Sequence, residues 1–167
     1  MANRCSEVDP AVVSAGCLPQ TRNTYRVAVA AVLLLAAGLR LYRLGYHELN
    51  LDEIGQIQVA EHSLSVTVQL SAWHVASTPL DYLVTHVALL IGRDPGILRL
   101  PVALWGTLVV GATYVFGRKV ASHWTGITAS LATAILPLLV NWSRIVRFYS
   151  LPVLLFLITT ILLWYAL

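Results

Sequence analysis

The stretch YRVAVAAVLLLAAGLRLYRL at residues 25–44 decides the fold class of this chain. Its apolar part, residues 27–39, carries no charge, and about 20 residues in a helix cross a hydrocarbon layer of about 30 Å. Three further apolar stretches follow, at residues 98–116, 125–142 and 151–167. The sequence therefore predicts an all-α protein, a polytopic membrane helix bundle with about four spans.

The composition agrees with a membrane protein. Hydrophobic residues make up 57% of the chain and charged residues 11%, whereas soluble proteins average about 25% charged residues. The net charge of +3 is dispersed along the chain, so nucleic acid is not expected as a partner. Residues 1–24 form a polar tail with no signal-peptide core, and its two cysteines, Cys5 and Cys17, are expected to be free thiols.

Positive charges predict the topology. Arg22 and Arg26 precede the first span, and the linker at residues 117–124 carries Arg118 and Lys119 without an acid. Cytoplasmic loops are enriched in such residues, so we expect a cytoplasmic N-terminus in a multi-pass protein of the plasma (inner) membrane.

Two arginines at the far end of the first span run against this rule. Arg40 and Arg43 are three residues apart, and on one helix face they are expected to snorkel or to face protein.

The loop at residues 45–97 is then external, and it holds six of the eight acidic residues. We expect two surface helices in it, at about residues 53–62 and 79–91, with Asp52 as the N-cap of the first. The second contains Asp81 and His86 in a run of 13 residues, too short to span a bilayer, so it is expected to lie at the interface.

Two groups of side chains can carry chemistry. A carboxylate such as Asp52 or Glu53 beside a membrane can act as a general base, although an N-cap followed by a first-turn acid is a common pairing without any catalytic role. Arg144 and Arg147 are three residues apart and on a helix would share a face able to hold a phosphate. The alternative for them is a helix end anchored at lipid headgroups. The histidines match no metal template.

Five motifs occur in order along the chain: LRLYRLGY (39–46) followed by LDE (51–53), PLDY (79–82), RLPVALWG (99–106), GRK (117–119) and SRIVRFY (143–149). In this order they resemble the GT-C membrane glycosyltransferases, in the branch of protein O-mannosyltransferases and the lipid A aminoarabinose transferase. The resemblance covers residues 25–167 and corresponds to the N-terminal portion of those larger proteins. It implies a GT-C-type module with external juxtamembrane helices.

The resemblance also implies an activity, the transfer of a sugar from a polyprenyl-phosphate donor to an acceptor on the external face. Asp52 would be the catalytic base and Glu53 would support it. Arg144 and Arg147 would bind the donor phosphate and stabilise the charge of the departing lipid.

Tyr149 and Asp81, which lie in the matched motifs, are candidates for supporting roles. No cofactor is implied. Ile145 stands where many relatives carry an acid, so the second carboxylate is missing, and a divalent metal is left as an open alternative.

The expected partners are the lipid-linked sugar donor, membrane lipids, and the remaining spans or a partner membrane subunit. The alternative function is a truncated or accessory, non-catalytic membrane subunit that binds lipid or a partner protein. An unrelated multi-span structural protein is the second alternative.

Overall fold

The computed structural model describes residues 19–73, 79–147 and 149–166, and within these ranges it is helical, with no strand. Most of the polar tail, with Cys5 and Cys17, lies outside the described residues. The helices in these ranges are α1 (Pro19–Leu41), α2 (Leu51–Ala60), α3 (Leu64–Trp73), α4 (Pro79–Ile91), α5 (Pro95–Val120), α6 (His123–Ile135), α7 (Pro137–Trp142) and α8 (Ser150–Ala166).

Two helices are long and apolar enough to cross a membrane, α1 from Asn23 to Leu41 and α5 over its whole length. Only 17% and 33% of their most apolar windows are buried. The apolar core helix of a soluble protein would be mostly buried, because water would otherwise surround its side chains. The exposed apolar surface of both helices therefore favours lipid as their surroundings.

The first helix ends earlier than the sequence predicts. Arg43 has φ 51°, in the left-handed region, and the chain turns at residues 42–47. The prediction that Arg40 and Arg43 share a helix face is therefore wrong. Arg40 is 1% exposed and faces protein, whereas the guanidinium of Arg43 lies 4.0 Å from the ring centre of Tyr46.

The predicted third span, residues 125–142, is two helices and not one. Leu136 is extended (φ −61°, ψ 116°) between α6 and α7. Pro137 has no N–H and cannot bond the carbonyl of Thr133, so the helix stops there. Arg40 supplies the missing donors, with Nη1 3.3 Å from the oxygen of Ala134 and Nη2 3.4 Å from that of Thr133. A cation at the C-terminus of a helix also complements the helix dipole.

The long helices pack around α5, which contacts α1, α6 and α8. A small core cluster joins α1, α5 and α6 through Val32, Ala36, Val110 and Ala134. Gly117 and Gly126 bring α5 and α6 together, since a Cβ on Gly126 would lie 2.7 Å from the carbonyl oxygen of Tyr114. No other residue type fits this close approach.

The three helices α2, α3 and α4 form a layer where α1 ends and α5 begins. We call this the acidic end of the molecule. The sequence did not predict α3, whose residues 64–73 show little helical periodicity. Residues 79–91, expected to be a surface helix, are helical along their whole length. Asn50, and not Asp52, is the N-cap of α2.

Candidate functional site

A buried ion pair between Glu53 and Arg99 organises the acidic end. The carboxylate and the guanidinium meet in a bidentate contact, with Nε–Oε1 at 2.9 Å and Nη2–Oε2 at 2.7 Å. Their side chains are 0% and 4% exposed. Two charges can be buried in this way only when hydrogen bonds satisfy their remaining donors and acceptors.

The remaining donors and acceptors of this pair are indeed used. Arg99 donates to three backbone oxygens of the loop that leaves α1, those of Leu44, His47 and Glu48. Glu53 accepts the N–H of Asn50 at 2.9 Å and the N–H of Val146 at 2.8 Å. All five guanidinium N–H groups therefore have an acceptor. The pair ties together the 44–50 loop, α2, α5 and the turn at residues 143–147.

These contacts set the charge of Glu53. Burial raises the pKa of the Glu53 carboxyl. The hydrogen bonds from Arg99 and from the N–H groups of Asn50 and Val146, together with the charge of Arg99, lower it by more. The pKa consequently lies below its ordinary value, and Glu53 is ionised at neutral pH.

The turn at residues 143–147 separates the two arginines that the sequence placed on one helix face. These residues are not helical, so the prediction of a shared helical face is wrong. Val146 is 1% exposed and packs with Ala88 and Leu98, which anchors the middle of the turn. Arg144 and Arg147 lie on either side of this anchor and make different contacts.

Arg147 pairs with Asp52. Its Nη2 lies 2.8 Å from Oδ1 of Asp52, whose side chain is 70% exposed. Asp52 lies in the first turn of α2, two residues beyond the N-cap. The ion pair fixes the carboxylate on the surface of the acidic end while most of it stays accessible.

Asp81 lies close to the same arginine but is buried, at 2% exposure. Nε2 of Gln56 donates to Oδ2 of Asp81 at 3.2 Å and to the hydroxyl of Thr85 at 2.9 Å. Burial raises the pKa of Asp81 to about 6, although the hydrogen bond from Gln56 and the charge of Arg147 lower it. Asp52, Arg147 and Asp81 therefore form one cluster linked by charge.

Arg144 lines a different part of the surface, a polar cavity of about 560 Å³. Its Nη2 donates to the carbonyl of Tyr42 at 2.8 Å. Polar residues that share the wall with it are His47, Glu48, Asn50, Arg99 and Asn141. A cavity of this size accommodates a sugar-sized ligand.

An apolar groove of about 600 Å³ runs along α1 on the other side of Arg144. Leu34, Leu35, Gly38 and Tyr42 of α1 and its connecting turn line it. Leu39, Val140 and Arg144 line both the groove and the polar cavity. Arg144 therefore marks the boundary between a polar and an apolar binding surface.

Tyr149 is not among the residues that line the polar cavity or the apolar groove. Its ring stacks on Trp142 with 5.1 Å between ring centres. Together with Trp142 it lines a small cavity next to Arg40 and Gly106.

Within the described ranges, no group of three or more His, Cys, Asp or Glu side chains is close enough to hold a metal ion. Asp52 pairs with Arg147 and the charge of Arg147 acts on Asp81, and this positive charge disfavours a cation beside either carboxylate.

Comparisons with protein-family models, with curated proteins and with solved structures found no match to this chain. The resemblance to the GT-C glycosyltransferases therefore rests on the five sequence motifs.

Sequence reasoning missed Arg99 and Gln56 as parts of the site. A signal for Arg99 was present, because an arginine in the first turn of an apolar span is costly and must find a partner. Gln56 carried no such signal, since a glutamine on a short amphipathic helix is ordinarily a solvent-facing residue.

Proposed function

We propose that this chain is the N-terminal part of a membrane glycosyltransferase that takes its sugar from a polyprenyl-phosphate donor. The motif order of the GT-C enzymes suggests the reaction class. The observation that carries the proposal is the position of Arg144 between a polar cavity and an apolar groove.

A polyprenyl-phosphate sugar has three chemically distinct parts, and the acidic end offers a matching surface for each. The apolar groove along α1 suits the isoprenoid chain, because its lining is mostly apolar and can pack against the chain through van der Waals contacts. The guanidinium of Arg144 suits the phosphate. The polar cavity, with His47 and Asn141 in its wall, suits the sugar hydroxyls.

Asp52 is the proposed base. It would accept the proton of the acceptor hydroxyl while that oxygen bonds to the anomeric carbon of the sugar. The bond between this carbon and the phosphate oxygen breaks, and its electron pair leaves with the polyprenyl phosphate. Arg144 stabilises the charge that develops on the leaving phosphate. The exposure of Asp52 supports this role, and Asn50, two residues before it at the start of α2, lines the polar cavity.

Glu53 and Arg147 act as positioning residues in this proposal. Glu53 has its acceptor positions occupied by Arg99 and two backbone N–H groups, so it holds the scaffold and the 143–147 turn. Arg147, first expected to bind phosphate, instead orients Asp52. Asp81 supports Arg147 from the buried side.

The test is the consumption of lipid-linked sugars by membranes that contain the chain with its natural partners. A panel of radiolabelled polyprenyl-phosphate hexoses and pentoses is added, and release of polyprenyl phosphate is followed by chromatography. The wild type is expected to consume at least one donor. Asp52→Asn should abolish consumption, and Arg144→Gln should raise the KM for the donor.

Glu61→Gln is the matched control, because Glu61 also lies at the acidic end and also pairs with an arginine, Arg93. It should leave donor consumption unchanged. Consumption that persists undiminished in Asp52→Asn would contradict the assignment of the base, and failure of every donor would contradict the function itself.

A further inference from the structure

The end of the molecule opposite the acidic end is built differently. Here the start of α1, the end of α5 and the start of α6 meet through aromatic rings. The ring of Tyr25 stacks on His123 with 4.7 Å between centres, and the hydroxyl of Tyr114 lies 3.0 Å from Nδ1 of His123. The ring of Trp124 meets Tyr25 edge-on at 5.7 Å. We call this the basic end.

The same parts of α1 and α5 carry three exposed cations, Arg26, Arg118 and Lys119. Nζ of Lys119 lies 4.2 Å from the ring centre of Tyr165 at the end of α8, and the guanidinium of Arg118 lies 5.8 Å from that of Tyr114. Such contacts orient a cation but do not neutralise it.

None of the three cations takes part in an ion pair within the described ranges, where the ion pairs involve Arg93, Arg99 and Arg147. Among the described residues every Asp and Glu lies between residues 48 and 94, away from this end. Among the described residues the basic end therefore carries charge of one sign, and aromatic rings orient two of its cations, Arg118 and Lys119.

The distance between the two ends matches a bilayer. From Arg99 to Arg118, α5 rises by about 28 Å at 1.5 Å per residue, close to the hydrocarbon thickness of about 30 Å. When the acidic end lies at one interface, Arg118 and Lys119 reach the headgroups of the other leaflet. Trp124 and Tyr165 are 59% and 58% exposed there, as interfacial aromatic residues are.

We propose that the basic end binds the headgroups of anionic phospholipids. The cations supply the attraction to the phosphate and the negative headgroup. Val120 follows Lys119 in the chain and Trp164 precedes Tyr165. These two side chains are 49% and 52% exposed and supply apolar contact for the first part of the acyl chains. A soluble anion would use the cations but not this apolar surface, which favours a lipid as the ligand. The site is independent of sugar transfer at the other end.

Quenching of Trp124 fluorescence tests this site. The full chain is reconstituted into phosphatidylcholine vesicles that contain an equal fraction of either brominated phosphatidylglycerol or brominated phosphatidylcholine. The Trp124 signal is obtained by subtracting the spectrum of Trp124→Phe. We expect stronger quenching by the brominated phosphatidylglycerol, because bromine quenches indole only at close range.

The double variant Arg118→Gln/Lys119→Gln should lose most of this preference. Each basic side chain near an anionic surface contributes about 1 kcal/mol, or about fivefold in local lipid enrichment. The matched control is Arg93→Gln, which removes a 77% exposed arginine from the acidic end and should leave the preference intact.

Salt provides a second measurement that does not depend on how the double variant folds. Raising the sodium chloride concentration should reduce the preference of the wild type, since screening weakens exposed charge interactions. The proposal is overturned if the two brominated lipids quench equally, if the double variant keeps the full preference, or if Arg93→Gln loses it to the same extent.

Discussion

Glu53 and Arg99 are 46 residues apart in the chain, yet their side chains form the most completely hydrogen-bonded pair of the described structure. One belongs to a short helix of the loop layer and the other to the first turns of a helix long enough to cross a membrane. The pair therefore joins the layer formed by α2, α3 and α4 to α5. It also holds the 143–147 turn, because Glu53 accepts the N–H of Val146.

Glu53→Gln is expected to lower the free energy of unfolding by about 3–5 kcal/mol, because it leaves the buried charge of Arg99 without a counter-ion. Denaturant unfolding in detergent micelles, followed by circular dichroism, measures this loss. The control is Glu61→Gln, which breaks the exposed pair with Arg93 and should cost less than about 1 kcal/mol. Equal losses in the two variants would refute a special role for the buried pair.

Asp81 predicts a pH dependence of stability. Its pKa is about 6 in the folded chain, against an ordinary value of 3.8. Between these values the folded state binds more protons than the unfolded state, so stability falls as pH rises from about 4 to above 6. The total loss is about 3 kcal/mol, at about 1.4 kcal/mol for each pKa unit. Asp81→Asn should remove this slope.

The measurement compares the free energy of unfolding of the wild type and of Asp81→Asn across this pH range. Glu53 contributes a slope of the opposite sign, because its pKa is lowered and its stabilisation is lost as pH falls. The difference between the two proteins cancels that contribution. Parallel curves would show that Asp81 does not change its charge in this range.

The effects on stability of substituting Arg40 and Pro137 should be coupled, because Arg40 donates to the carbonyls of Thr133 and Ala134 just before the proline. Arg40→Met leaves the carbonyls of Thr133 and Ala134 without donors and should cost about 2–6 kcal/mol, at about 1–3 kcal/mol for each unsatisfied group. In a Pro137→Ala background α6 can continue into α7 and supply these donors itself. The cost of Arg40→Met should therefore be smaller there.

A double-mutant cycle on thermal unfolding measures this coupling. Additive effects of Arg40→Met and Pro137→Ala would show that Arg40 does not compensate for the proline.

Position 43 should accept glycine with little loss of stability, because its φ is positive. Its φ of 51° costs an L-residue about 1 kcal/mol and costs glycine nothing. Arg43→Gly loses the contact with Tyr46 but relieves this strain, so stability should change by less than about 1 kcal/mol. Arg43→Val should cost about 1–2 kcal/mol, because a β-branched side chain disfavours positive φ. A valine variant as stable as the glycine variant would contradict the argument.

Hydropathy was sufficient to locate the two long apolar helices, because uncharged runs of the length found in residues 27–39 and 100–116 favour an apolar environment. Asp52 and Asp81 lie between these two apolar runs, so hydropathy also assigned them to one loop. The helix break at Pro137 was present in the sequence as a local signal, but an apolar run on both sides of it suggested continuity.

The contacts of the candidate site were not accessible to this reasoning. The pairing of Asp52 with Arg147 and of Glu53 with Arg99 depends on how segments about 50 to 95 residues apart meet. A three-residue spacing placed Arg144 and Arg147 on one face only if the segment was helical. The segment is instead a turn in which Val146 packs against Ala88 and Leu98. Local periodicity carries no information about such tertiary choices.

The separation of acidic and basic ends also gives the molecule an electrical preference. With the basic end on the negative side of a membrane potential, its unpaired cations sit where the field favours them. Turning the chain over would cost about 2.3 kcal/mol for each elementary charge at 100 mV. In an energised membrane this charge difference would favour the orientation that places the Arg144 cavity on the positive side.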